Sequence, residues 1–241
     1  MTTDRFFERS RLERRRRWKR IAIAVLAVAV ASTLVWLIWF SSVLAVRGVE
    51  IAGRTTLKEA QIMGAAQVPV GRPLARVDLT AIEGRIAALD RVDTVEVSRS
   101  WPRTVSISIV ERKAVVWISV DGRIRGIDRH GVDYRSYSSA PKSLLEAKIS
   151  VTDPRDRQQT SEHVVAVVQR ITDDDPALRG QIQSISASSK DSIELNLTEG
   201  RTVVWGSGAD GERKLTVLKA LLPIKASHYD VSAPDQPTTR P

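Results

Sequence analysis

Residues 21–40 form an unbroken apolar run, IAIAVLAVAVASTLVWLIWF, with no charged residue, no proline and no glycine. Twenty helical residues at about 1.5 Å each span the ~30 Å hydrocarbon core of a bilayer. Ser32 and Thr33 are its only polar residues, so no helical period has a polar face and a buried helix of a soluble domain is excluded. Trp39 and Phe40 end the run, where aromatic rings favour the membrane interface. The run therefore predicts a transmembrane helix.

Basic residues are concentrated immediately before this run. Residues 1–20 hold nine Lys and Arg against three acidic residues, and the whole 241-residue chain has a net charge of +9. An excess of Lys and Arg beside a span is retained in the cytoplasm, so we expect a cytoplasmic basic tail at residues 1–20 and an exported region beyond the span. This is a single-pass, type II topology in the cell membrane. Because the basicity belongs mainly to the tail, the chain lacks the charge pattern of a nucleic-acid-binding protein.

A cleaved signal peptide is the alternative interpretation of the same run. Val43-Leu44-Ala45 could serve as a small-residue cleavage site. The run is, however, longer than the roughly 7–15 apolar residues of a signal-peptide core, and it ends in bulky aromatic side chains. Both properties favour an uncleaved anchor.

The first part of the exported region has the pattern of a β-α-α-β-β module. Alternating apolar residues predict a strand at residues 46–51. Thr56 and Glu59 fit a capping box that starts a short helix, and Asp78 fits the N-cap of a second helix. Two further alternating segments flank a turn at residues 100–103, SWPR, and predict a β-hairpin.

The second part of the exported region is mostly β. Short strand candidates separated by Asp-Gly and similar turns flank an amphipathic helix around residues 161–172 and a second helix near residues 212–222. A last strand is predicted around residue 229. The sequence thus predicts an α+β chain whose second domain is mostly antiparallel with flanking helices. Its predicted segments are the tail (1–20), the transmembrane helix (21–40), the first module (45–113), the β domain (114–232) and a disordered C-terminal tail (233–241).

No residue pattern in the chain predicts catalysis or metal binding. The chain has no cysteine, and none of its three histidines has a second ligand at helical spacing. There is no G-x-S-x-G nucleophile motif. We therefore predict no enzyme activity, no cofactor and no small-molecule substrate. The segment Glu111-Arg112-Lys113 fits either a functional patch or a polar strand end, and the second interpretation is favoured.

Residues 205–214, WGSGADGERK, contain glycines at the G-x-G-x-x-G spacing of a dinucleotide-binding turn. The glycines are Gly206, Gly208 and Gly211, and Asp230 follows at the distance expected of a ribose-binding carboxylate. Such a turn belongs to a parallel sheet with a crossover helix. The preceding strand candidates are joined by turns of about two to five residues, which requires antiparallel pairing. A strand, a tight turn and the start of a helix is the favoured interpretation.

Several stretches together resemble the FtsQ/DivIB family of bacterial cell-division proteins. VRGVEIAGRTTL (46–57) resembles the first strand and turn of the family's POTRA domain, and VDTVEVSRSWPRTVSISIVERKAVVWI (92–118) resembles its hairpin with a Trp-Pro tip. GIDRHGVDY (126–134) and VVWGSGADGERKLTVLKALL (203–222) are similar to later family segments. The order of tail, span, module and β domain is also that of the family, so the resemblance covers nearly the whole chain.

This resemblance implies a non-enzymatic scaffold of the division septum that links early and late division proteins. Its implied partners are the single-span proteins FtsB (DivIC in some lineages) and FtsL. In the family the POTRA domain serves recruitment, and FtsB adds a strand to the C-terminal edge of the β domain, where unpaired backbone groups can accept one. The matching residues here are Tyr229, Asp230, Val231 and Ser232. Prolines after them cannot donate to a ladder, which limits the expected edge to about four or five residues.

Two other functional classes stay open at this point. A POTRA-containing component of an envelope transport or secretion assembly would show repeated modules or a barrel. An exported enzyme would show convergent polar groups. The sequence has neither pattern.

Overall fold

The computed structural model describes residues 4–241, with side chains from residue 17 onward. Helix α1 (Asp4–Phe40) joins the described part of the basic tail and the predicted span into one continuous helix. Its Arg17–Phe40 segment is long and apolar enough to cross a membrane, and none of it is buried against the rest of the protein. The predicted transmembrane helix is therefore present as one candidate span.

The chain divides into two compact units, residues 1–111 and 112–241. After α1, the first unit contains a three-stranded sheet in the order β1-β3-β2, in which β1 is parallel to β3 and β2 is antiparallel to it. The predicted β-α-α-β-β order is confirmed. Its elements are β1 (Gly48–Ala52), α2 (Glu59–Ala66), α3 (Leu79–Ala87), β2 (Val92–Ser100) and β3 (Thr104–Glu111).

One predicted helix start in this unit is wrong and the other is confirmed. The Asp78 carboxylate accepts a hydrogen bond from the Ala81 amide at 3.0 Å and caps α3 as expected. Helix α2 instead begins after Lys58, whose amide donates to the Gln61 side chain. The predicted capping residue Thr56 is bound by the carboxylate of Glu111 at the end of β3, which takes it out of the helix.

The second unit is a nine-stranded sheet in the order β12-β11-β10-β9-β8-β7-β4-β5-β6. Helix α4 packs on it with Val164, Val165, Val168 and Ile171 buried, as the helical periodicity predicted. The strands are β4 (Ala114–Val120), β5 (Arg123–Asp128), β6 (Asp133–Tyr137), β7 (Leu145–Ile149), β8 (Ile182–Ser189), β9 (Ser192–Leu197), β10 (Thr202–Gly206), β11 (His228–Asp230) and β12 (Thr238–Arg240). The helices are α4 (Pro154–Asp174), α5 (Pro176–Gln181) and α6 (Gly211–Leu221).

Most neighbouring strands of this sheet are antiparallel, including β8-β9-β10, for which short turns required it. Strand β11, however, runs parallel to β10, and α6 makes the crossover between them. The glycine-containing turn therefore does lie in a β-α-β unit, which the sequence interpretation did not foresee. Helix α6 is long enough to carry the chain back to the end of the sheet at which β10 begins. Strand β11 therefore starts at that end and runs parallel to β10.

The C-terminal segment also departs from expectation. Disorder was predicted for residues 233–241, whereas Thr238–Arg240 form β12 and pair antiparallel with β11. Prolines at 234 and 237 fall in the connection, and the Gln236 amide donates to the Ala233 carbonyl there at 3.0 Å. The prolines thus occupy the turn and leave the strand free to pair.

Candidate partner-binding edge

The four residues predicted to bind a partner lie at the C-terminal end of the sheet, in and just after β11. Strand β11 is paired on both sides, with β10 through Val203–Tyr229 and with β12 through Tyr229–Thr239. The predicted residues thus lie one strand inside the edge of the sheet. Their direct participation in partner binding stays a prediction.

Tyr229 and Val231 are core residues of this end of the sheet. Both side chains are buried, and the Tyr229 hydroxyl donates to the Ile224 carbonyl at 2.8 Å. The Val231 amide donates to the Val204 carbonyl at 3.0 Å, which continues the pairing with β10. These two residues fix the position of β11 rather than offering side chains to a partner.

Asp230 and Ser232 shape the turn that leads from β11 to β12. The Asp230 carboxylate accepts hydrogen bonds from the Ser232 amide at 2.9 Å and from its hydroxyl at 2.7 Å. An aspartate that binds the backbone two residues ahead favours a turn. An ion pair between Arg213 of α6 and Asp235 also holds this connection.

Strand β12 is the end strand of the sheet. One side pairs with β11, and within the described residues no strand pairs with the other side. The unpaired side of an end strand carries backbone donors and acceptors that another strand can satisfy. Prolines at 237 and 241 bracket β12 and lack an amide hydrogen, so the usable edge is the three residues Thr238, Thr239 and Arg240.

An open cleft of about 610 Å³ lies close to the end of β12, although no residue of β12 itself lines it. Its apolar part comes mainly from the connection between α6 and β11, where Ile224 is 50% exposed. Tyr229 of β11 and Pro241, just after β12, also line it, together with the charged residues Glu199, Arg201 and Lys225. A short apolar cleft next to unpaired backbone suits an extended peptide that also inserts a side chain.

The glycine-containing turn is closely packed against neighbouring segments at this end of the sheet. Gly206 has a φ of +76°, and a Cβ there would lie 2.8 Å from the Ser232 Cβ. A Cβ at Gly208 would lie 3.1 Å from the His163 Nδ1. The buried Lys214 of α6 donates from Nζ to the Ser207 carbonyl at 2.9 Å, and burial lowers the pKa of this lysine. Gly206, Gly208 and Lys214 therefore have packing roles in this turn. Among residues 17–241 no group of three His, Asp or Glu side chains could hold a metal ion.

Comparison with known proteins gives two family matches that follow the two units. Residues 44–112 match the model of the FtsQ-type POTRA domain, and residues 115–232 match that of the C-terminal domain of the cell division protein FtsQ/DivIB. The cell division protein FtsQ of Streptomyces collinus is 35% identical over 228 residues, which cover 91% of this chain and 86% of the relative. That of Streptomyces bingchenggensis is 34% identical over 241 residues, which cover 95% and 88%.

This chain belongs to the FtsQ/DivIB family of cell division proteins. A third FtsQ, from Mycolicibacterium smegmatis, is 34% identical over 218 residues, which cover 90% of this chain and 62% of the relative. The match to the C-terminal model ends at residue 232, six residues before β12 begins. The edge strand of this FtsQ-family chain therefore lies outside the matched region, although the two strands that support it lie inside.

Sequence patterns did not reveal two buried carboxylates that organise this FtsQ-family fold. Glu111 binds the backbone before α2, and Asp128 holds the turn after β5. The favoured interpretation of Glu111-Arg112-Lys113 as a polar strand end is correct in location, but both Glu111 and Arg112 have specific partners. The available signal was an acidic residue at the last position of β3 and of β5.

Proposed function

We propose that the protein is a non-enzymatic scaffold of the division septum that binds FtsB-like and FtsL-like single-span proteins and links early to late division proteins. The observation that carries this proposal is the unpaired outer side of β12 beside the apolar cleft, on a chain of the FtsQ/DivIB family. An unpaired strand edge and an apolar cleft can bind a segment of a protein partner. A scaffold acts through such binding and needs no reactive side chains.

The proposed topology is type II, with a cytoplasmic N-terminus and an exported C-terminal region. The excess of Lys and Arg before α1 supports it. The segment that could be cleaved as a signal peptide is folded into the first unit: Ala45 is 5% exposed and bridges to Pro73, and Arg103 donates to the Val43 carbonyl at 2.8 Å. Residues 43–45 are thus part of the folded first unit, which suits an anchor that stays attached to it.

We assign the partner strand to the outer side of β12, with its side chains entering the cleft. The four predicted residues then act indirectly. Tyr229 and Asp230 pair with β12, and Tyr229 also lines the cleft. Val231 is bonded to β10, and Ser232 forms the turn with Asp230. Strand addition supplies main-chain hydrogen bonds, and the cleft supplies side-chain selectivity.

Depletion of the protein tests the cellular role. We expect cells that continue to grow but do not complete septation, and a fluorescent fusion of the full chain should concentrate at midcell. The same fusion carrying the transmembrane helix of an unrelated protein serves as a control for simple membrane placement. Normal septation after complete depletion would contradict the proposed function.

Proline substitution tests the edge. We expect Thr239→Pro to weaken capture of an FtsB-like partner at least roughly tenfold, because proline removes a backbone donor and disturbs β12. Ser136→Pro on β6 is the matched control, since it places the same change in the strand at the opposite end of the same sheet. Affinity of the full chain for the partner, measured in detergent by biolayer interferometry, distinguishes the two.

Removal of residues 237–241 distinguishes two ways of using this end of the sheet. Loss of binding supports pairing with β12. Stronger binding would show instead that the partner replaces β12 and pairs directly with Tyr229 and its neighbours. Equal binding by all variants would place the partner elsewhere.

A further inference from the structure

Three segments of the first unit meet just beyond the C-terminal end of α1. The Val46 amide donates to the Arg72 carbonyl at 2.9 Å, and the Arg47 amide donates to the Arg103 carbonyl at 2.8 Å. These bonds join the chain leaving α1 to the loop before the 3-10 turn at Leu74–Arg76 and to the tip of the β2–β3 hairpin. The three segments are residues 41–49, 69–77 and 97–104, and we refer to their exposed surface as the juxtamembrane face.

This face is close to the membrane because its connection to α1 is short. Val43 lies three residues beyond Phe40, which is at most about 11 Å along the chain. The headgroup layer extends roughly 5–7 Å beyond the hydrocarbon on each side. Arg103 donates from Nε to the Val43 carbonyl, and the Arg76 guanidinium lies 5.4 Å from the centre of the Phe40 ring. Arg76 therefore lies beside the last residue of the span, and Arg103 is bonded to the chain within about 11 Å of it.

The juxtamembrane face is basic within its three segments, and the acidic residues Glu50, Asp78 and Glu96 directly flank them. Its three segments contain five arginines and no acidic residue. Arg99 and Arg103 bind backbone carbonyls, and Arg76 lies over Phe40. Arg47 and Arg72 are exposed, and within residues 17–241 their guanidinium groups have no hydrogen-bond or ion-pair partner.

Exposed apolar side chains lie among these arginines. Trp101 at the hairpin tip is 51% exposed, Val70 is 68% exposed and Val43 is 51% exposed. Exposed tryptophan beside arginine is typical of protein surfaces at the membrane interface, where the ring sits at the headgroup level. Isolated exposed apolar residues need no explanation, but these three belong to segments that hydrogen bonds join at the end of the span.

We propose that the juxtamembrane face binds anionic phospholipid headgroups of the membrane that α1 crosses. Arg47 and Arg72 contact the phosphates, and Trp101 and Val70 insert at the headgroup level. The occupant is lipid rather than an acidic protein because the span holds a lipid surface permanently within reach of the face. The inference rests on α1 being the membrane anchor, which is part of the proposed function, but not on the septal role.

Attachment of this kind restricts the first unit to one orientation on the bilayer. A single helix with a flexible connection would let the unit rotate and tilt, whereas headgroup contacts at three segments fix it. The attraction is electrostatic and therefore weakens as salt rises.

The test uses single spin labels on the full chain in nanodiscs, which the absence of native cysteine makes straightforward. One label replaces Val70 (Val70→Cys) and a control label replaces the exposed Thr94 (Thr94→Cys) near the other end of β2. Discs contain either phosphatidylcholine alone or a mixture rich in phosphatidylglycerol. Accessibility to lipid-soluble oxygen against a water-soluble nickel chelate reports the depth of each label.

We expect the label at position 70 to move toward the lipid in anionic discs, with at least a roughly twofold rise in the ratio of oxygen to nickel accessibility, and to return to water at high salt. The label at position 94 should stay in water throughout. Arg47→Glu with Arg72→Glu should abolish the shift, whereas Arg47→Lys with Arg72→Lys should retain it. The backbone bonds of both residues remain in each variant, so folding is preserved.

Three results would overturn the inference. They are a label at position 70 that stays in water in both lipids, a shift that does not depend on lipid charge, and a shift that survives charge reversal. A chain that fails to co-purify with the discs would overturn the anchor as well, whereas a chain that co-purifies with its label in water overturns this inference alone.

Discussion

Replacing Glu111 by alanine should lower the free energy of unfolding of the POTRA domain by about 3 kcal/mol. Glu111 is 8% exposed, and its carboxylate accepts hydrogen bonds from the amides of Thr55, Thr56 and Leu57. Alanine would leave three amides without their acceptor where the chain enters α2. The effect is large because three amides lose their acceptor at once and one of them, that of Leu57, is buried.

The same carboxylate makes the domain sensitive to acid. Burial opposes ionisation of Glu111, but hydrogen bonds from Leu57, Thr56 and Thr55 outweigh it and lower the pKa to about 2, from an ordinary value of 4.5. A depressed pKa in the folded state contributes stability that is fully present above the unfolded pKa. That contribution is lost as the pH falls from about 4.5 to about 2. Glu111→Gln should remove this pH dependence.

Hydrogen exchange and thermal unfolding of the full chain in detergent measure the loss of stability in Glu111→Ala. The same measurements between pH 4.5 and about pH 2 measure the acid sensitivity. Amides 55–57 and the β3 amides should exchange much faster in Glu111→Ala, and the domain should melt at least roughly 10 °C lower. Glu59→Ala is the control, because Glu59 is exposed and pairs with Arg54 at 3.3 Å on the surface, where such a pair contributes less than about 1 kcal/mol. Equal effects of the two substitutions would show that Glu111 does not organise the start of α2.

A second large effect is expected at Asp128 of the β domain, where alanine should cost about 3–5 kcal/mol. Asp128 is 1% exposed and forms an ion pair with Arg112. Its other oxygen accepts from the amides of His130 and Val132 at 2.9 and 2.8 Å. One carboxylate thus holds both the half-buried guanidinium of Arg112 and the turn between β5 and β6, and alanine removes both interactions.

Chemical denaturation monitored by fluorescence of the buried Trp205 measures this loss in the β domain. Asp133→Ala is the matched control, since Asp133 also pairs with an arginine, Arg125, but is more exposed, and its loss should cost less than about 1 kcal/mol. Asp128→Asn should be intermediate, because the amide oxygen can still accept from the turn but carries no charge. A midpoint of unfolding for Asp128→Ala within error of that for Asp133→Ala would refute the assignment.

Local patterns predicted most elements of the fold. The apolar run of α1, the alternation of β2 and β3 and the periodicity of α4 each depend on residues close together in the chain, so the sequence alone was sufficient. The Asp78 cap was equally local. The resemblance of several such stretches in a fixed order then predicted the family.

Contacts between distant residues could not be predicted in this way. Thr56 satisfies the local rules for a helix cap, but its amide donates instead to the carboxylate of Glu111, 55 residues later in the chain. Strand β12 has only three residues between prolines, and its pairing with β11 provides the stabilisation that its own sequence lacks. The residues predicted to bind a partner therefore lie one strand inside the edge, and their participation in binding stays a prediction.

The order of strands at this end of the sheet has a consequence for the timing of assembly. Strands β8, β9, β10, β11 and β12 are added outward in chain order, each beside the one before. In the proposed type II topology the N-terminus stays in the cytoplasm and the region after α1 crosses the membrane in sequence order, so residues 228–240 emerge from the translocation channel after all the strands on which they rest. A chain stalled in the channel would have a folded POTRA domain but no docking strand, so binding at β12 would select for proteins whose export is complete.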